Sequence, residues 1–145
     1  MTSTDARTLR VGMIGYAFMG AAHSQAWRNA PSFFDLPMAP ELAAICGRNA
    51  TAAGEVAARF GWQSVETDWH QVIKRSDIDL IDICTPGDTH AEIAIEALQA
   101  GKHVLCEKPL ANTVAEAEAM ADAAEKAAEK GVRSMVGFTY RRVPA

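Results

Sequence analysis

The 145-residue sequence has no long hydrophobic run and no excess of positive charge. No apolar stretch approaches the roughly 20 residues that a membrane-spanning helix needs, and residues 1–8 are too short and too polar for a signal peptide. With 14 basic and 18 acidic residues, the formal net charge of -4 leaves no basic stripe for nucleic acid or an anionic membrane surface. We therefore expect a soluble, cytoplasmic protein that binds neither nucleic acid nor membranes.

Cysteine is also scarce, and its positions argue against several kinds of chemistry. Cys46, Cys84 and Cys106 are odd in number and lack the spacing of metal ligands, and each lies near the end of an apolar run. Buried thiols in a reducing compartment fit this pattern better than a disulfide or a nucleophile does. We expect three buried thiols and no metal site.

A glycine-rich turn follows the first apolar run, within residues 9–20. Gly15 lies where a strand would turn sharply into a helix, and Gly20 lies where that helix would need a residue without bulk to pack on a sheet. Ala17 replaces the middle glycine of the G-x-G-x-x-G fingerprint, which adds one methyl group near a bound pyrophosphate. Two interpretations stay open from this turn alone: a dinucleotide-binding loop, or a strand-turn-helix whose glycines serve turn geometry only.

Short apolar runs alternate with helical patterns along the rest of the chain. Such alternation predicts an α/β fold, a doubly wound parallel sheet with right-handed crossovers. Capping boxes at Thr89 with Glu92 and at Thr113 with Glu116 would begin two of the helices, and Pro31 would end or interrupt the first helix. After the first apolar run, strands are predicted at 42–46, 63–65, 78–84, 103–106 and 135–138, and helices at 50–60, after Asp68, from Thr89 towards Gly101, and from Thr113 towards Gly131.

Ligands of such a sheet bind beyond the carboxyl ends of the strands. At the end of the second predicted strand, an acidic residue would bind the ribose 2′-hydroxyl of NAD, but Gly47 and Arg48 stand there. Because a guanidinium pairs well with a 2′-phosphate, Arg48 favours NADP over NAD. The alternative is a solvated surface arginine.

Lys108 and His90 are candidate proton-handling groups. Lys108 lies between Glu107 and Pro109, directly after a predicted buried strand, where an ammonium group can orient a hydroxyl and relay its proton. Taken alone, a lysine after a strand is more often a solvated loop residue. His90 is either a first-turn helix residue or a contact to the ribose or substrate. Asp82, inside the fourth strand, would need a hydrogen-bonding partner, which favours a structural role.

Four segments match a known family in order and spacing. They are Val-Gly-Met-Ile-Gly-Tyr-Ala-Phe-Met-Gly at 11–20, Ile-Cys-Thr-Pro with His90 four residues after Pro86, Ala-Gly-Lys-His-Val-Leu-Cys-Glu-Lys-Pro-Leu-Ala at 100–111, and Val-Gly-Phe-Thr-Tyr-Arg-Arg at 136–142. Together they resemble the N-terminal nucleotide-binding domain of the Gfo/Idh/MocA oxidoreductases, and the Glu-Lys-Pro block is the most specific of them. The resemblance implies an NAD(P)-binding Rossmann domain.

The same resemblance implies a domain division. The Rossmann domain would cover residues 9–140, after a flexible N-terminus at 1–8. Residues 141–145 would start the connection to a C-terminal α/β substrate domain, which we expect to be absent from this chain. The chain would then be the cofactor-binding half of its parent and would turn over substrate poorly alone.

Roles for individual residues also follow from the resemblance. The pyrophosphate would lie along the turn after the first strand, Glu107 would contact the nicotinamide ribose, and Lys108 would be the catalytic residue that positions the substrate and assists proton transfer. Pro109 would follow a cis peptide that aims Lys108 into the cleft. The implied cofactor-binding residues are Gly15, Tyr16, Ala17, Phe18, Met19, Gly20, Gly47, Arg48, Asn49, Thr85, Pro86, His90, Glu107 and Lys108.

The function implied is that of an NADP-preferring oxidoreductase that interconverts a secondary alcohol of a sugar, polyol or inositol with its ketone. NAD is the second possible cofactor, and the full-length protein is expected to be a homo-oligomer. Two alternatives stay open: an NAD-dependent glycoside hydrolase of the same family, and a non-catalytic nucleotide-sensing module.

Overall fold

A six-stranded sheet forms the centre of the structure, a computed structural model that describes residues 7–144. Its strands are β1 (Thr8–Ile14), β2 (Ala39–Cys46), β3 (Ser64–Glu66), β4 (Leu80–Ile83), β5 (His103–Cys106) and β6 (Ser134–Val136). They lie in the order β3-β2-β1-β4-β5-β6, and every neighbouring pair is parallel. The chain thus builds one half of the sheet outward from β1 and then returns to build the other, which confirms the predicted doubly wound fold.

Helices cover both faces of the sheet. α1 (Phe18–Phe33) and α2 (Ala50–Phe60) pack on one face, and α3 (Trp69–Lys74), α4 (His90–Gln99) and α5 (Val114–Ala128) pack on the other. Side chains alternate along a strand, so the neighbours Met13 and Ile14 of β1 belong to the two opposite cores. Because both faces are buried, the inner strands read as nearly continuous apolar runs.

Most helix ends lie where the sequence predicts them. Asp68 caps α3, and Thr113 with Glu116 forms both halves of the predicted capping box at the start of α5. Gly61 ends α2 with a φ of 83°, a left-handed conformation that favours glycine. These three ends were predictable because the residues that form them are neighbours in the sequence.

Pro31 neither ends nor interrupts the first helix, so that prediction is wrong. The helix continues through Pro31 to Phe33. A proline removes one backbone donor, and in the last turn of α1 this loss does not stop the chain from completing the helix.

The predicted capping box at Thr89 and Glu92 is also wrong. Residues Gly87–Thr89 form a turn of 3-10 helix that runs into α4, and the Thr89 side chain makes no cap hydrogen bond. Its hydroxyl instead forms hydrogen bonds within the loop, with Thr85 Oγ1 at a distance of 2.7 Å and with the Pro86 carbonyl oxygen at 2.8 Å. Local hydrogen bonds to residues three and four positions earlier therefore take the hydroxyl away from the helix end.

The chain before β2 departs from the expected boundaries as well. β2 begins at Ala39 rather than at residue 42, because it pairs with β1 from Thr8 onward. Of the predicted flexible segment 1–8, residues 1–6 lie outside the described part of the chain, and Thr8 already belongs to β1. Within residues 7–144, every helix is too short or too polar to span a membrane.

Candidate functional site

The carboxyl ends of β1, β2, β4 and β5 form one edge of the sheet, at the point where the strand order reverses. β1 lies between β2 and β4, so the loops after β1 and β4 leave towards opposite faces and open a crevice between them. Backbone hydrogen bonds extend the ladder past the strand ends, from Gly15 N–H to Cys46 O (2.9 Å) and from Glu107 N–H to Ile83 O (3.0 Å). The loops that line the crevice therefore start from fixed positions.

Two glycines allow the chain to turn tightly after β1. Gly15 has a φ of 104°, and a Cβ at this position would lie 2.7 Å from the carbonyl carbon and oxygen of Cys84 in the neighbouring strand end. A Cβ on Gly20 would contact the carbonyl oxygen of Gly15. Backbone therefore packs directly on backbone at both positions, which any side chain would prevent.

The start of α1 presents backbone donors towards the crevice. Its N-cap residue is Ala17, whose side chain forms no cap hydrogen bond. The backbone N–H groups of Phe18, Met19 and Gly20 have no acceptor among residues 7–144. A pyrophosphate fits these donors and the positive end of the helix dipole, since it supplies the acceptors and negative charge that they lack.

The residues after β2 form the side of the site predicted for the adenosine ribose. A Cβ on Gly47 would contact the ring of Tyr16, so the glycine allows Tyr16 to pack across the end of β2. The Asn49 side chain caps α2 by accepting a backbone N–H at 3.1 Å. Arg48 is exposed and makes no ion pair within the described chain. Its guanidinium is available to an anionic ligand.

His90 joins the loop after β4 to the loop after β5. The residue is 1% exposed, and its Nδ1 and Nε2 lie 2.9 Å from the Pro109 carbonyl oxygen and 2.8 Å from the Thr85 carbonyl oxygen. As the first residue of α4, it fits the helix first-turn interpretation. Both ring nitrogens lie beside backbone carbonyl oxygens of the protein, and the contact of His90 to the nicotinamide side stays a prediction.

Glu107 and Lys108 follow β5 but differ in burial. Glu107 is 3% exposed, whereas the Lys108 side chain is 59% exposed. The Glu107 Oε2 atom accepts the backbone N–H of Lys108 at 3.1 Å and lies 3.8 Å from Lys108 Nζ. The peptide bond between Lys108 and Pro109 is cis, as predicted. The loop thus places an exposed cation beside a buried carboxylate.

His23, which belongs to none of the predicted motifs, lies between two buried carboxylates. His23 of α1 contacts Asp82 Oδ1 through Nδ1 (3.0 Å) and Glu107 Oε1 through Nε2 (3.1 Å), and Trp27 Nε1 donates to Asp82 Oδ2 at 2.7 Å. Burial lowers the pKa of His23, but the hydrogen bonds and charges of Asp82 and Glu107 outweigh it, so this pKa lies above 6.5. The predicted need of Asp82 for a partner is confirmed.

The three cysteines are buried and free, as predicted. Burial, assisted by nearby carboxylates, raises the pKa of Cys46 and of Cys106 to about 12 each and also raises that of Cys84. They are therefore protonated thiols near neutral pH. Donor atoms of Cys84, Asp82 and His23 lie within 4.8 Å of one another, and the hydrogen bonds among them account for this proximity.

Comparison with known protein families decides the assignment. A family model for oxidoreductases with an NAD-binding Rossmann fold, named GFO_IDH_MocA, matches residues 9–138. The chain belongs to the Gfo/Idh/MocA oxidoreductase family. The match covers the glycine turn, the loop after β4 and the Glu-Lys-Pro block, so the predicted resemblance is confirmed.

Two curated relatives in the Gfo/Idh/MocA family show how much of a family member this chain covers. Levoglucosan dehydrogenase of Pseudarthrobacter phenanthrenivorans is 47% identical over 140 residues, which are 96% of this chain and 35% of the relative. Inositol 2-dehydrogenase of Salmonella typhimurium is 30% identical over 92% of this chain and 38% of the relative. The chain therefore spans little more than a third of the length of these relatives.

Two solved structures match this chain over a similar share of their length. An oxidoreductase domain protein from Kribbella flavida is 68% identical with a TM-score of 0.92, over 94% of this chain and 36% of that one. Levoglucosan dehydrogenase in complex with NADH is 47% identical with a TM-score of 0.89, also over 94% of this chain and 36% of that one.

In this Gfo/Idh/MocA domain, the predicted site residues converge on one sheet edge. The segments 15–20, 47–49, 85–90 and 107–108 each follow the carboxyl end of a strand. His23 and Trp27 were missed, although a signal exists: they lie four residues apart on one helix, and an aspartate interrupts an apolar strand that such a helix would cover.

Proposed function

We propose that this chain is the cofactor-binding half of an NAD(P)-dependent oxidoreductase that interconverts a secondary alcohol of a sugar, polyol or inositol with its ketone. One juxtaposition carries the proposal: the glycine turn, with helix donors that lack acceptors in residues 7–144, shares a crevice edge with Glu107 and Lys108. Relatives named levoglucosan dehydrogenase and inositol 2-dehydrogenase support the substrate class.

The proposed domain division follows the family resemblance. Residues 9–140 would form the cofactor-binding half, and residues 141–145 would start the connection to a substrate domain. Assembly of the full-length protein into a homo-oligomer also belongs to this proposal.

The cofactor would be held by backbone and side-chain groups at the crevice edge. The N–H groups of Phe18, Met19 and Gly20 would bind the pyrophosphate, and Arg48 would lie beside the adenosine ribose. When bound, the nicotinamide supplies the hydride acceptor or donor, which no side chain can replace. The protein contributes position and charge.

NAD(H) and NADP(H) make different demands on the residues after β2. The complex of levoglucosan dehydrogenase with NADH supports NAD(H) as a ligand of this site. No carboxylate follows Cys46 to bind a 2′-hydroxyl, and the exposed Arg48 is suited to pair with a 2′-phosphate. We therefore propose binding of both cofactors with a preference for NADP(H).

Lys108 is the proposed catalytic residue. As an ammonium group, Nζ can donate a hydrogen bond and a proton to a carbonyl oxygen, and in its neutral form it can take the proton of a hydroxyl. Its exposed side chain reaches from the loop, while the buried Glu107 beside it limits where the ammonium rests. His90 would act as a positioning residue, since it lies against the backbone of the loops after β4 and β5, which border one side of the crevice.

A paired titration with NADH and NADPH tests the cofactor proposal. Energy transfer from Trp27, Trp62 and Trp69 to the reduced nicotinamide reports binding, and calorimetry checks the values. NADPH is expected to bind more tightly, and Arg48→Ala is expected to remove that difference, each tenfold step being about 1.4 kcal/mol. Arg28→Ala, an exposed arginine in the second half of α1, is the matched control and should keep the preference.

Two outcomes would contradict these proposals separately. Equal affinities for NADH and NADPH in the wild-type chain would overturn the NADP preference and leave the dinucleotide site intact. A folded chain that binds neither cofactor would overturn the proposed function itself.

A further inference from the structure

Two buried carboxylates face the two ring nitrogens of one histidine. Nδ1 of His23 lies 3.0 Å from Asp82 Oδ1, and Nε2 lies 3.1 Å from Glu107 Oε1. Asp82 is 0% exposed, Glu107 3% and the His23 side chain 13%. The three residues come from β4, from the residue after β5 and from α1, so only the folded chain assembles them.

Proton counting limits the charge states of this arrangement. A neutral imidazole has one N–H group, and its second nitrogen is an acceptor. An ionised carboxylate only accepts hydrogen bonds. Two ring-to-carboxylate hydrogen bonds therefore require one proton more than a neutral ring and two carboxylates hold together.

The other contacts of the carboxylates place this extra proton on the ring. Asp82 accepts the Trp27 indole N–H at 2.7 Å and faces the Cys84 thiol at 3.5 Å. Glu107 Oε2 accepts the Lys108 backbone N–H at 3.1 Å. Each carboxylate thus also accepts a hydrogen bond on its second oxygen, Oδ2 of Asp82 and Oε2 of Glu107. Because these hydrogen bonds stabilise the ionised carboxylates, the extra proton belongs to the His23 ring.

The remaining charged and titratable neighbours are compatible with this assignment. Lys108 Nζ lies 3.8 Å from Glu107, so one more cation balances the second carboxylate. Arg142, in the turn after β6, lines the same groove as His23, and Cys106 at the end of β5 is a buried thiol. The imidazolium and the ammonium together neutralise Asp82 and Glu107.

We propose that His23 is a positively charged positioning residue, an imidazolium bridge that fixes the Glu107 carboxylate against the backbone and side chain of Lys108. Loss of the ring proton would set a lone pair against one of the two carboxylates and release Glu107 from its position. The bridge itself stands on geometry alone, and its meaning for catalysis rests on the proposed role of Lys108.

A pH titration of the wild-type chain by nuclear magnetic resonance tests the bridge without any cofactor. The ring nitrogens of His23 are expected to show the shifts of a doubly protonated imidazole at neutral pH, with a midpoint above 6.5. The Lys108 amide, which donates to Glu107, is expected to shift with the same midpoint. A neutral ring at pH 7, or a Lys108 amide that ignores the His23 titration, would overturn the proposal.

Two substitutions separate the halves of the bridge. His23→Gln keeps a donor where Nε2 meets Glu107 but cannot carry the charge, and His23→Asn keeps a donor towards Asp82 only. Both are expected to abolish the titration of the Lys108 amide. His70→Gln, which changes an exposed histidine of α3, is the control and should leave that titration unchanged. Persistence of the Lys108 titration in His23→Gln would count against the bridge.

A third substitution keeps the test decisive if the His23 variants do not fold. Glu107→Gln removes one of the two charges that face the ring and is expected to move the His23 midpoint downward, whereas an unchanged midpoint would contradict the bridge. Failure of the proposed function shows separately, as absence of NADH binding by a folded chain whose His23 titrates as expected.

Discussion

At position 20, a Cβ would contact the carbonyl oxygen of Gly15 and lie 2.9 Å from its carbonyl carbon. Backbone cannot move aside as a flexible side chain can, so Gly20→Ala must displace the turn after β1. We expect the free energy of unfolding to fall by about 1–3 kcal/mol, as in other overpacked sites. NADH affinity should fall as well, because the displaced turn carries the proposed pyrophosphate donors.

Gly54→Ala is the matched control for this change. Gly54 lies inside α2, and a Cβ there would meet no atom within 4 Å. Alanine should therefore raise the free energy of unfolding by about 0.5–1 kcal/mol through helix propensity alone. Urea denaturation of the three proteins measures both effects, and equal shifts for the two variants would show that contact with Gly15 is not the cause.

The raised pKa of His23 predicts a pH dependence of stability. The folded chain holds the His23 proton more tightly than the unfolded chain, whose value is near 6.5. Its contribution to the free energy of unfolding is therefore complete below about pH 6.5 and is lost as pH rises through the folded-state pKa. Urea denaturation between about pH 6 and 8.5 should show a decline in the wild-type chain that His23→Gln lacks.

His70→Gln again serves as the control for the His23 stability profile. His70 is exposed and lies on α3, so its variant should keep the wild-type decline. Identical slopes for the wild-type chain and His23→Gln would show that another group causes the pH dependence.

Among the helices, α5 depends most clearly on its cap. Thr113 Oγ1 accepts the backbone N–H of Glu116 at 3.2 Å, and the Glu116 carboxylate accepts the Thr113 N–H at 3.0 Å. Thr113→Ala removes the first bond and is expected to lower the free energy of unfolding by about 0.5–2 kcal/mol. Thr51→Ala, an exposed threonine in the first turn of α2, should change it by less than about 0.5 kcal/mol. Thermal or urea denaturation distinguishes the two.

The sequence contains two capping-box patterns, of which one prediction is confirmed and the other is wrong. Thr113 and Thr89 are each followed three residues later by a glutamate, and only the first forms a capping box. The difference lies in the surroundings of Thr89, whose hydroxyl bonds to Thr85 and Pro86 in the loop after β4. The capping-box pattern considers only the residues that follow the threonine, whereas the competing hydrogen bonds come from the residues before it.

His23 was missed because its partners are far away in the sequence. Its partners Asp82 and Glu107 are 59 and 84 residues away in the sequence, and they reach it only when three elements pack together. Asp82 was the one indication in the sequence, because a carboxylate within an apolar strand requires a hydrogen-bonding partner. His23 and Trp27, polar residues four positions apart on α1, were available candidates for that partner.

For the molecule as a whole, the fold was predictable from the sequence, and so was the sheet edge at which the candidate site lies. Alternating strands and helices fix a parallel sheet, and the glycine turn identifies β1, so the remaining loops fall at the same edge. Burial of individual side chains there was not predictable. His90 and Asn49, for example, have side-chain partners within the protein that the sequence did not indicate, and their predicted contacts to the cofactor stay predictions.

Lys108→Met tests the proposed catalytic role in the full-length enzyme. Methionine keeps much of the side-chain length and removes the ammonium group, so turnover of the sugar or polyol substrate is expected to fall by about 10²–10⁴-fold. NADH binding should persist. Lys130→Met, an exposed lysine beyond the end of α5, is the control and should retain activity. Full turnover by Lys108→Met, measured with a substrate accepted by the wild-type enzyme, would remove Lys108 from the reaction.

The buried ring of His90 has a mechanical consequence for the crevice. Its two ring nitrogens lie within hydrogen-bond distance of the carbonyl oxygens of Thr85 and Pro109, which belong to the loops after two different strands. A displacement of either loop must stretch one of these contacts or carry the other loop with it. We therefore expect the loops after β4 and β5 to shift together, so that a displacement at Thr85 would also move the turn that carries Lys108.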